Sequence, residues 1–374
     1  MIYKFEVEGF KGFKDKVIFD FTHKKNYEFN QECISDGVVR KSVLYGKNGI
    51  GKSNLGLAIF DIVSHLTDFN VNTAMYNNYI NANSDSGIAV FKYDFKFSDD
   101  IVTYSYGKKS LKSLVFEELI INGKSVARIN RGEGDMASFS LEGTESLNSN
   151  LSDSPISIIN YIKSNAVLKE NSESILFNKF ISFVDKMLYF RSLETNNYLG
   201  LEMGSHPITP DIIEKGNLSD FERFLNEAGV DCKLCVMQIQ GNDGIVEDIG
   251  FDFGSKKIPF YGVASTGTKA LALFYYWMQR VKVDGCVSFV FIDEFDAFYH
   301  HALSMLIVKE MKSVPSQVVI TTHNTSIMSN EILRPDCYFI MEKDSLVPMF
   351  EKTDKELRSS HNIEKMYKAG SFNG

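Results

Sequence analysis

The sequence is poor in the residues that mark disulfide-rich, fibrous or membrane-spanning proteins. Its 374 residues include five cysteines, seven prolines and one tryptophan. A small, odd number of cysteines in a long chain is typical of a reducing compartment rather than of a disulfide framework. No apolar run approaches the length of a transmembrane helix, and the first residues alternate like a strand instead of forming the apolar core of a signal peptide. These absences predict a cytoplasmic protein without a membrane partner.

The charged residues form no dense basic run. Lysines and arginines number 40 against 48 aspartates and glutamates, which gives a formal net charge of −8. Proteins that hold nucleic acid mainly by electrostatics carry clustered positive charge. The composition therefore does not indicate such binding, although it leaves open a local basic patch assembled by folding. Long heptad repeats are also missing, which argues against a coiled-coil arm.

What the sequence does contain is a phosphate-binding motif near its start. The pattern G-x-x-x-x-G-K-[ST] matches the segment Gly46-Lys47-Asn48-Gly49-Ile50-Gly51-Lys52-Ser53. A short apolar strand precedes it, and a helix with one apolar face follows it, which is the context that the motif needs. Glycines let backbone amides turn toward phosphate oxygens, and the helix adds the positive end of its dipole. Lys52 can then reach the β- and γ-phosphates of a nucleotide, and the Ser53 hydroxyl can bind Mg²⁺.

Two apolar strands in the second half of the chain end in polar side chains. The first ends in Asp293 and Glu294, and the second is followed by His323. Ligands in α/β sheets bind at the carboxyl ends of the strands, where Asp293 would hold Mg²⁺ and Glu294 would orient the attacking water. The His323 imidazole can donate a hydrogen bond to a phosphate or to that water. Lys52, Glu294 and His323 are therefore the predicted catalytic residues.

A third motif lies between the phosphate loop and these two strands. Ser265, Thr266 and Gly267 form a polar turn at the start of an apolar helix. A turn of this kind at a helix N-terminus can bind an anion. The phosphates of one nucleotide need only one such turn. We therefore expect the second turn to complete a nucleotide site that belongs to another subunit.

Two short motifs have ordinary explanations, which we prefer. Cys232 and Cys235 form a C-x-x-C, but no second cysteine pair or nearby histidine accompanies them, as a metal site requires. We expect two small hydrophobic residues in a strand. Glu310 and Lys312 form an E-x-K without the Pro-Asp that would precede it in a nuclease. Because this motif lies on the surface of a predicted core helix, we expect solvated charges.

The order of the predicted elements is that of an α/β protein. Strands are predicted over 1–45, 87–130, 233–262, 287–292 and 317–321, helices over 51–68, 156–167, 177–188, 267–281 and 300–312, and a loop over 131–153. A capping box of Ser219 and Glu222 predicts one further short helix. We expect a nucleotide-binding core formed by residues 1–70 and 258–374, with an inserted β-rich and helical lobe over 71–257.

The motifs resemble, in their order, those of the ABC-type ATPase head of the SMC, RecF and OLD-like superfamily. The nearer resemblance is to stand-alone AAA-family ATPases of abortive-infection and phage-defence operons, which are AriA-, RloA- and AbiLi-like. Five segments carry it, namely the N-terminal strand-turn at 8–15, the G-x-N-G-x-G-K-S-N match that ends at Asn54, the shortened signature at 265–268, the DE-x-x-x-x-[LF]-H-like segment at 293–300, and the switch histidine segment at 321–324.

The resemblance implies a P-loop NTPase fold of the ABC-type head, with an N-terminal antiparallel β subdomain and the inserted lobe. It also implies a homodimer that closes around two ATP molecules, and it leaves open a higher oligomer. In that dimer Ser265 and Gly267 reach the γ-phosphate bound by the other subunit, and His300 lies near the contact. The Q-loop glutamine of such heads has no counterpart here, since no glutamine occurs between Gln31 and Gln238.

The resemblance further implies a slow ATPase that acts as a switch, responds to a phage-derived trigger and controls a separate effector. The sequence lacks the Asp-x-Asp pair of the OLD-type nuclease module, so we expect the nuclease or toxin to be a separate protein. The alternative is a DNA-repair or chromosome-maintenance ATPase that binds DNA directly, against which the acidic charge and the missing coiled-coil arm argue. A transporter ATPase subunit is disfavoured by the shortened signature motif.

Overall fold

The computed structural model of the chain describes residues 1–67, 73–152, 156–191, 197–200, 208–241, 244–295, 301–343 and 345–372, without the side chains of residues 191, 197–199, 241 and 301–303. The strands of these residues, in chain order, are β1 (Ile2–Glu8), β2 (Val17–Asp20), β3 (Ile34–Ser35), β4 (Val38–Val39), β5 (Lys41–Gly46), β6 (Ala89–Phe97), β7 (Asp100–Ser110), β8 (Ser113–Ile121), β9 (Lys124–Asn130), β10 (Gly134–Phe139), β11 (Met187–Arg191), β12 (Asn197–Gly200), β13 (Leu234–Gly241), β14 (Gly244–Asp252), β15 (Lys257–Pro259), β16 (Phe289–Asp293), β17 (Gln317–Thr321), β18 (Tyr338–Met341) and β19 (Leu346–Pro348).

The helices of the same residues are α1 (Lys52–Ile59), α2 (Asp61–Leu66), α3 (Ile158–Asn165), α4 (Ser172–Asp185), α5 (Ile208–Glu214), α6 (Leu218–Glu227), α7 (Phe260–Val263), α8 (Thr266–Val281), α9 (His301–Ser313) and α10 (Ile363–Lys368). Within the described part of the chain, no helix combines the length and the apolar content that a membrane crossing requires.

The central sheet is mainly parallel, and the predicted motifs follow its strands. Its strand order is β12-β11-β16-β17-β5-β18-β19, and the five strands from β11 to β18 run parallel to one another. Every residue of β16 and β17 is buried, as continuous apolar runs predict for strands covered on both faces. Because β17 lies between β16 and β5, the segments that follow these three strands meet at one edge of the sheet.

The second large sheet is antiparallel and joins the N-terminal strands to those of residues 89–139. Its order is β10-β9-β8-β7-β6-β1-β2. The turn between β8 and β9 consists of Asn122 and Gly123, which both have positive φ, +47° and +80°, as a two-residue hairpin turn requires. The predicted division into a core and an inserted lobe stays a prediction. The topology shows that both large sheets contain strands from either side of residue 70.

Helix α1 lies close against the central sheet. A Cβ atom added at Gly56 would come within 2.7 Å of the Phe291 ring and 3.0 Å of the Tyr189 ring, so this glycine allows the close approach. The chain then breaks at Phe60, and α2 begins at the next residue. The single helix predicted over 51–68 is therefore two helices.

Three other local predictions differ from the structure. The predicted loop over 131–153 contains β10, an edge strand in which apolar and polar residues do not alternate regularly. The helix predicted over 177–188 ends at Asp185, and the chain enters β11 two residues later. The capping box of Ser219 and Glu222 is wrong, because α6 begins at Leu218 and the Glu222 carboxylate instead accepts the amide of Leu234 at 2.6 Å.

The larger predictions agree with the structure. Strand β17 has the predicted bounds, and α8 and α9 begin within one residue of theirs. The predicted fold class is confirmed. The protein has an α/β head whose phosphate loop follows a parallel strand, beside an antiparallel sheet that contains the N-terminal strands. This arrangement places the phosphate loop, the acidic pair and the histidine on three adjacent strands.

Candidate nucleotide-binding site

The phosphate loop leaves β5 and turns directly into α1. A Cβ atom at Gly46 would stand 2.9 Å from both the Ile50 side chain and the Met341 carbonyl oxygen, so the loop has no room for a side chain there. Gly51, the residue before the helix, has a φ of +112°, which only glycine adopts readily. The ring of Phe13 lies against it, 3.3 Å from where its Cβ would be. The two glycines therefore fix a tight turn between a strand and a helix.

Lys52 is a buried cation at the start of this helix. It is 4% exposed, and its Nζ donates hydrogen bonds to the carbonyl oxygens of Gly46 at 3.0 Å and Lys47 at 3.3 Å. Its Nζ also lies 2.9 Å from Nε2 of His323. If that nitrogen accepts a hydrogen bond from the ammonium, the imidazole is neutral and carries its proton on Nδ1. The lysine and histidine predicted to share the site are thus in direct contact.

The acidic pair after β16 lies close enough to influence this lysine. Burial lowers the pKa of Lys52 from its ordinary 10.5, whereas the negative charges of Glu294 and Asp293 oppose that shift. Thr321, the last residue of β17, donates its hydroxyl to Asp293 Oδ1 at 2.7 Å and accepts the amide of Glu294 at 2.8 Å. Glu294 has a φ of +47°, a conformation that is uncommon for residues other than glycine and that clusters at functional sites.

Tyr189 lies between the two predicted metal ligands. Its ring is fully buried on β11, and its hydroxyl lies 3.4 Å from Asp293 Oδ2 and 3.4 Å from the carbonyl oxygen of Ser53. The structure therefore brings Ser53 and Asp293 to the two sides of one hydroxyl group. Sequence reasoning missed both Tyr189 and Thr321. The available signal was a side chain with a polar tip near the end of an otherwise apolar strand.

The segment that carries His323 is fixed by its neighbours. The amide of Asn324 donates to Thr322 Oγ1 at 2.9 Å, and the Asn324 carbonyl accepts the hydroxyl of Tyr45 at 3.2 Å. Tyr45 belongs to β5, the strand before the phosphate loop, so these contacts connect the histidine segment to that loop. His323 itself is exposed, which leaves its ring at the open side of the site.

The loop offers hydrogen-bond donors that the protein does not use. Within the described residues, no acceptor bonds the backbone amides of Asn48, Gly49, Gly51, Lys52 and Ser53. The first amides of a helix lack intrahelical acceptors, and free amides beside a buried ammonium suit a phosphate group. The side-chain oxygens of Ser53 and Asp293 are of the type that Mg²⁺ prefers. The residues present therefore fit a nucleotide and its magnesium ion.

The Ser265 turn forms hydrogen bonds within itself and with α8. Ser265 is the N-cap of α8, and its Oγ accepts the amide of Thr268 at 3.1 Å. Ser265 and Thr266 are exposed, and Gly267 is half-buried. Among the described residues, no hydrogen bond connects this turn to the phosphate loop. The predicted role of this turn toward a second subunit's nucleotide stays a prediction. His300 lies outside the described residues.

The C-x-x-C and E-x-K motifs, which we interpreted as ordinary residues, have separate and ordinary surroundings among the described residues. Cys235 lies on β13 and Cys232 just before it, and burial, with help from nearby carboxylates, raises the pKa of the Cys232 thiol to about 11. A thiol of this kind is a poor metal ligand, since the thiolate is the binding form. Glu310 pairs with Lys282 at 2.8 Å, whereas Lys312 pairs with Glu32 at 2.7 Å. These charges therefore serve separate surface ion pairs.

Three solved structures resemble the whole chain. They are an SMC head domain from Thermotoga maritima (15% identity, 93% of this chain and 98% of that chain, TM-score 0.43), an Smc head domain with an extended coiled coil from Pyrococcus furiosus (15%, 92% and 95%, 0.45), and an Smc head domain with a coiled coil and joint from Pyrococcus yayanosii (12%, 98% and 99%, 0.47). The comparison with curated proteins finds no match.

A family model covers most of the chain and all of the predicted site residues. It matches residues 41–329, from the first residue of β5 to beyond His323. Its description is "AAA domain, putative AbiEii toxin, Type IV TA system". The match agrees with the predicted resemblance to AAA-family abortive-infection ATPases, and it includes the phosphate loop, the Ser265 turn and the acidic pair. The chain belongs to this family of AAA-domain proteins and is a P-loop ATPase of the AAA type.

Proposed function

We propose that this protein binds and hydrolyses ATP with Mg²⁺ and uses the reaction as a switch that controls a separate effector in prokaryotic phage defence. The observation that carries the proposal is the state of Lys52. Its ammonium is buried among backbone carbonyls and an imidazole, beside unbonded amides. A buried cation is costly without an opposite charge, and a triphosphate supplies that charge.

Lys52 acts first on the bound phosphates. Its Nζ leaves the Gly46 and Lys47 carbonyls and bonds phosphate oxygens, while the loop amides bond the remaining ones. Ser53 and Asp293 would hold Mg²⁺, and the ion would supply positive charge to the phosphates during the reaction. Tyr189 keeps these two ligands at a fixed separation.

Glu294 acts on the attacking water. Its carboxylate accepts a hydrogen bond from the water and aligns the oxygen with the γ-phosphorus atom. The backbone of Glu294 is left-handed, and the Thr321 hydroxyl that accepts its amide also donates to the Asp293 carboxylate. His323 donates a hydrogen bond to the γ-phosphate and so responds to its presence, since the imidazole contacts Lys52, the group that bonds the same phosphates.

Two protomers close around two ATP molecules. The exposed Ser265 turn, at the N-terminus of a 16-residue helix, supplies hydrogen-bond donors to the γ-phosphate held by the partner. Tyr261 and Val263, 40% and 52% exposed, lie just before this turn and would become buried in such a contact. ATP thus favours the closed dimer, and hydrolysis reopens it.

The effector is a separate nuclease or toxin, and the trigger comes from the phage. The resemblance to stand-alone defence ATPases supports this role. The family description names a putative toxin of a toxin–antitoxin system, which supports a place in such a system. That description also suggests a direct test of the separate effector. Expression of the chain alone should leave growth unaffected, whereas growth arrest would identify the chain itself as the toxin.

The dimer is tested with a variant that binds ATP but cannot hydrolyse it. Light scattering coupled to gel filtration should show that Glu294→Gln doubles its mass when ATP and Mg²⁺ are added. Lys52→Ala is the matched control and should stay at one mass with or without ATP. An unchanged mass of Glu294→Gln with saturating ATP would contradict the proposal. DNA binding that requires ATP and weakens with salt would instead favour the chromosome-maintenance alternative.

A further inference from the structure

A second cavity, distinct from the nucleotide site, lies between the end of α2, the turn after β7 and helix α3. Its volume is about 460 Å³, within the range of small-molecule sites. Its lining includes three lysines, Lys108, Lys112 and Lys163, and among the described residues that line it there is no aspartate or glutamate. Carboxylates outside this lining pair with two of the lysines, Asp61 with Lys108 and Asp185 with Lys163.

The three lysines differ in how much charge they can offer to a ligand. Lys108 is 1% exposed and lies 2.7 Å from Asp61 Oδ2, so a carboxylate already neutralises it. Lys163 lies 3.4 Å from Asp185, with both side chains more than a third exposed, and such surface pairs contribute at most about 1 kcal/mol. Lys112 is exposed and forms no ion pair with another described residue. Lys112 and Lys163 are therefore the ammonium groups that can exchange water or a weak partner for an anion.

The hydroxyl and amide groups of the cavity are mostly used within the protein. Ser64 Oγ donates to the carbonyl of Asp61 at 2.7 Å, and Thr67 Oγ1 donates to that of Val63 at 2.6 Å. Asn160 donates its amide to the carbonyl of His65 at 3.2 Å. Recognition of a ligand in this cavity is therefore left largely to the lysines.

Four aliphatic side chains form another part of the wall, next to the polar residues His65, Ser157 and Ser164. Leu66 and Leu114 are buried, Leu111 is half-buried, and Ile156 is 42% exposed at the rim. A cavity with an aliphatic part of its wall and two available ammonium groups favours a ligand with an apolar body and a compact doubly charged group. Lysine binds phosphate well as a point charge, and a phosphate monoester carries up to two charges at neutral pH.

We propose that this cavity is a second anion site, which binds a small phosphate monoester with an apolar body. It is separate from the phosphate loop, because none of its lining residues belongs to residues 46–54. The site stands or fails independently of ATP hydrolysis.

The probe for this site is phenyl phosphate, titrated calorimetrically into the nucleotide-free full-length protein at low ionic strength. Binding should be saturable, weaken with added salt, and exceed that of inorganic phosphate and of phenol, which lack the apolar body and the charge respectively. Lys112→Met/Lys163→Met should weaken it at least tenfold. The matched control is Lys109→Met, an exposed lysine outside the cavity, which should change it less than twofold.

Lys52→Ala separates the two sites and should bind phenyl phosphate as the wild type does. Loss of binding in that variant would place the probe in the phosphate loop and overturn the proposal. It would also be overturned by no saturable binding up to about 10 mM, by equal binding of phenol, or by an unaffected Lys112→Met/Lys163→Met variant. Both substituted lysines are on the surface, and a thermal melt of the double variant verifies that it folds.

Discussion

Two lysines are buried to nearly the same extent in two regions of the molecule, but their surroundings differ. Lys108, under α2, is 1% exposed and paired with Asp61 at 2.7 Å, and the hydroxyls of Tyr79 and Tyr106 complete that carboxylate at 2.8 and 2.9 Å. Lys52, in the phosphate loop, is 4% exposed, and the oxygen atoms that it bonds in the described part of the chain belong to uncharged carbonyl groups.

The difference separates a structural charge from a binding charge. The buried ion pair at Lys108 has hydrogen-bonding partners within the protein, and removal of one member leaves the other uncompensated. The ammonium of Lys52 has two carboxylates nearby that raise its pKa against the effect of burial, but its direct contacts are neutral. A neutral environment can be exchanged for phosphate oxygens at low cost, whereas a paired carboxylate cannot.

The largest expected effect is on ATP turnover at the predicted nucleotide site. Glu294→Gln keeps the shape of the side chain but removes the charge that aligns the water, so ATP turnover should fall about 10²–10⁴-fold. Affinity for ATP should stay within a few-fold of the wild type. Steady-state phosphate release and equilibrium ATP binding measure the two quantities. Unchanged turnover would remove Glu294 from its assigned role.

The next largest effect is on stability, at the buried pair of Lys108 and Asp61. Lys108→Met leaves Asp61 buried without its cation and should lower the free energy of unfolding by about 3 kcal/mol, the lower end of the usual cost because two tyrosines still donate to the carboxylate. Urea unfolding measures it. The double variant Asp61→Asn/Lys108→Met should recover part of the loss, and Lys109→Met, the exposed neighbour, should change stability by less than about 0.5 kcal/mol. A loss below 1 kcal/mol for Lys108→Met would end the distinction between the two lysines.

The substitution Lys52→Ala in the phosphate loop should have the opposite result to Lys108→Met, with a loss of ATP affinity and little loss of stability. Among the described residues, the Lys52 ammonium has no carboxylate at hydrogen-bonding distance, so we expect Lys52→Ala to change stability little. ATP affinity should fall by the value of a charged hydrogen bond, at least about 2–3 kcal/mol, or about 30- to 150-fold. Equilibrium dialysis with a non-hydrolysable ATP analogue measures the affinity, and thermal unfolding measures the stability. Strong destabilisation with unchanged affinity would show that Lys52 is structural.

The sequence predicts the features that depend on neighbouring residues, but not those that depend on contacts between residues far apart in the chain. Three site segments can be recognised from local sequence, because each is a short apolar strand followed by polar residues. The strands are β5, β16 and β17, and the structure places them next to one another. The pair of Asp61 and Lys108 joins residues 47 positions apart through an antiparallel sheet, and no spacing rule predicts that contact. Tyr189 was missed for the same reason, because its value depends on the pairing of β11 with β16.

The predicted capping box of Ser219 and Glu222 fails because of a tertiary contact. Sequence spacing alone fits the box, but Glu222 bonds the amide of Leu234 on a neighbouring strand. Tertiary hydrogen bonds thus compete with local ones, and the local pattern does not reveal the competitor.

A third buried lysine sharpens the comparison through pH. Lys41 is 3% exposed and donates to the carbonyls of Val314 and Ser316 at 2.6 and 2.7 Å. Burial lowers its pKa from 10.5 to about 7. Between these two pH values the unfolded chain holds a proton that the folded protein has lost, so stability rises with pH. The rise from pH 7 to pH 9 should be about 2 kcal/mol.

This pH effect is measured by urea unfolding of the wild type against Lys41→Met, whose profile lacks the contribution. ATP affinity should be the same in both proteins, since Lys41 lies at the opposite end of β5 from the phosphate loop. Parallel profiles for the two proteins would show that Lys41 stays charged in the interior.

The most direct test of the whole account is a structure of Glu294→Gln crystallised with ATP and Mg²⁺. The account predicts that Lys52 Nζ has left the Gly46 carbonyl and His323 and lies within hydrogen-bonding distance of the β- and γ-phosphates, while Lys108 remains on Asp61. A nucleotide bound elsewhere, or one bound at the loop with Lys52 still on its carbonyls, would contradict the claim that this buried ammonium is the anion-binding group.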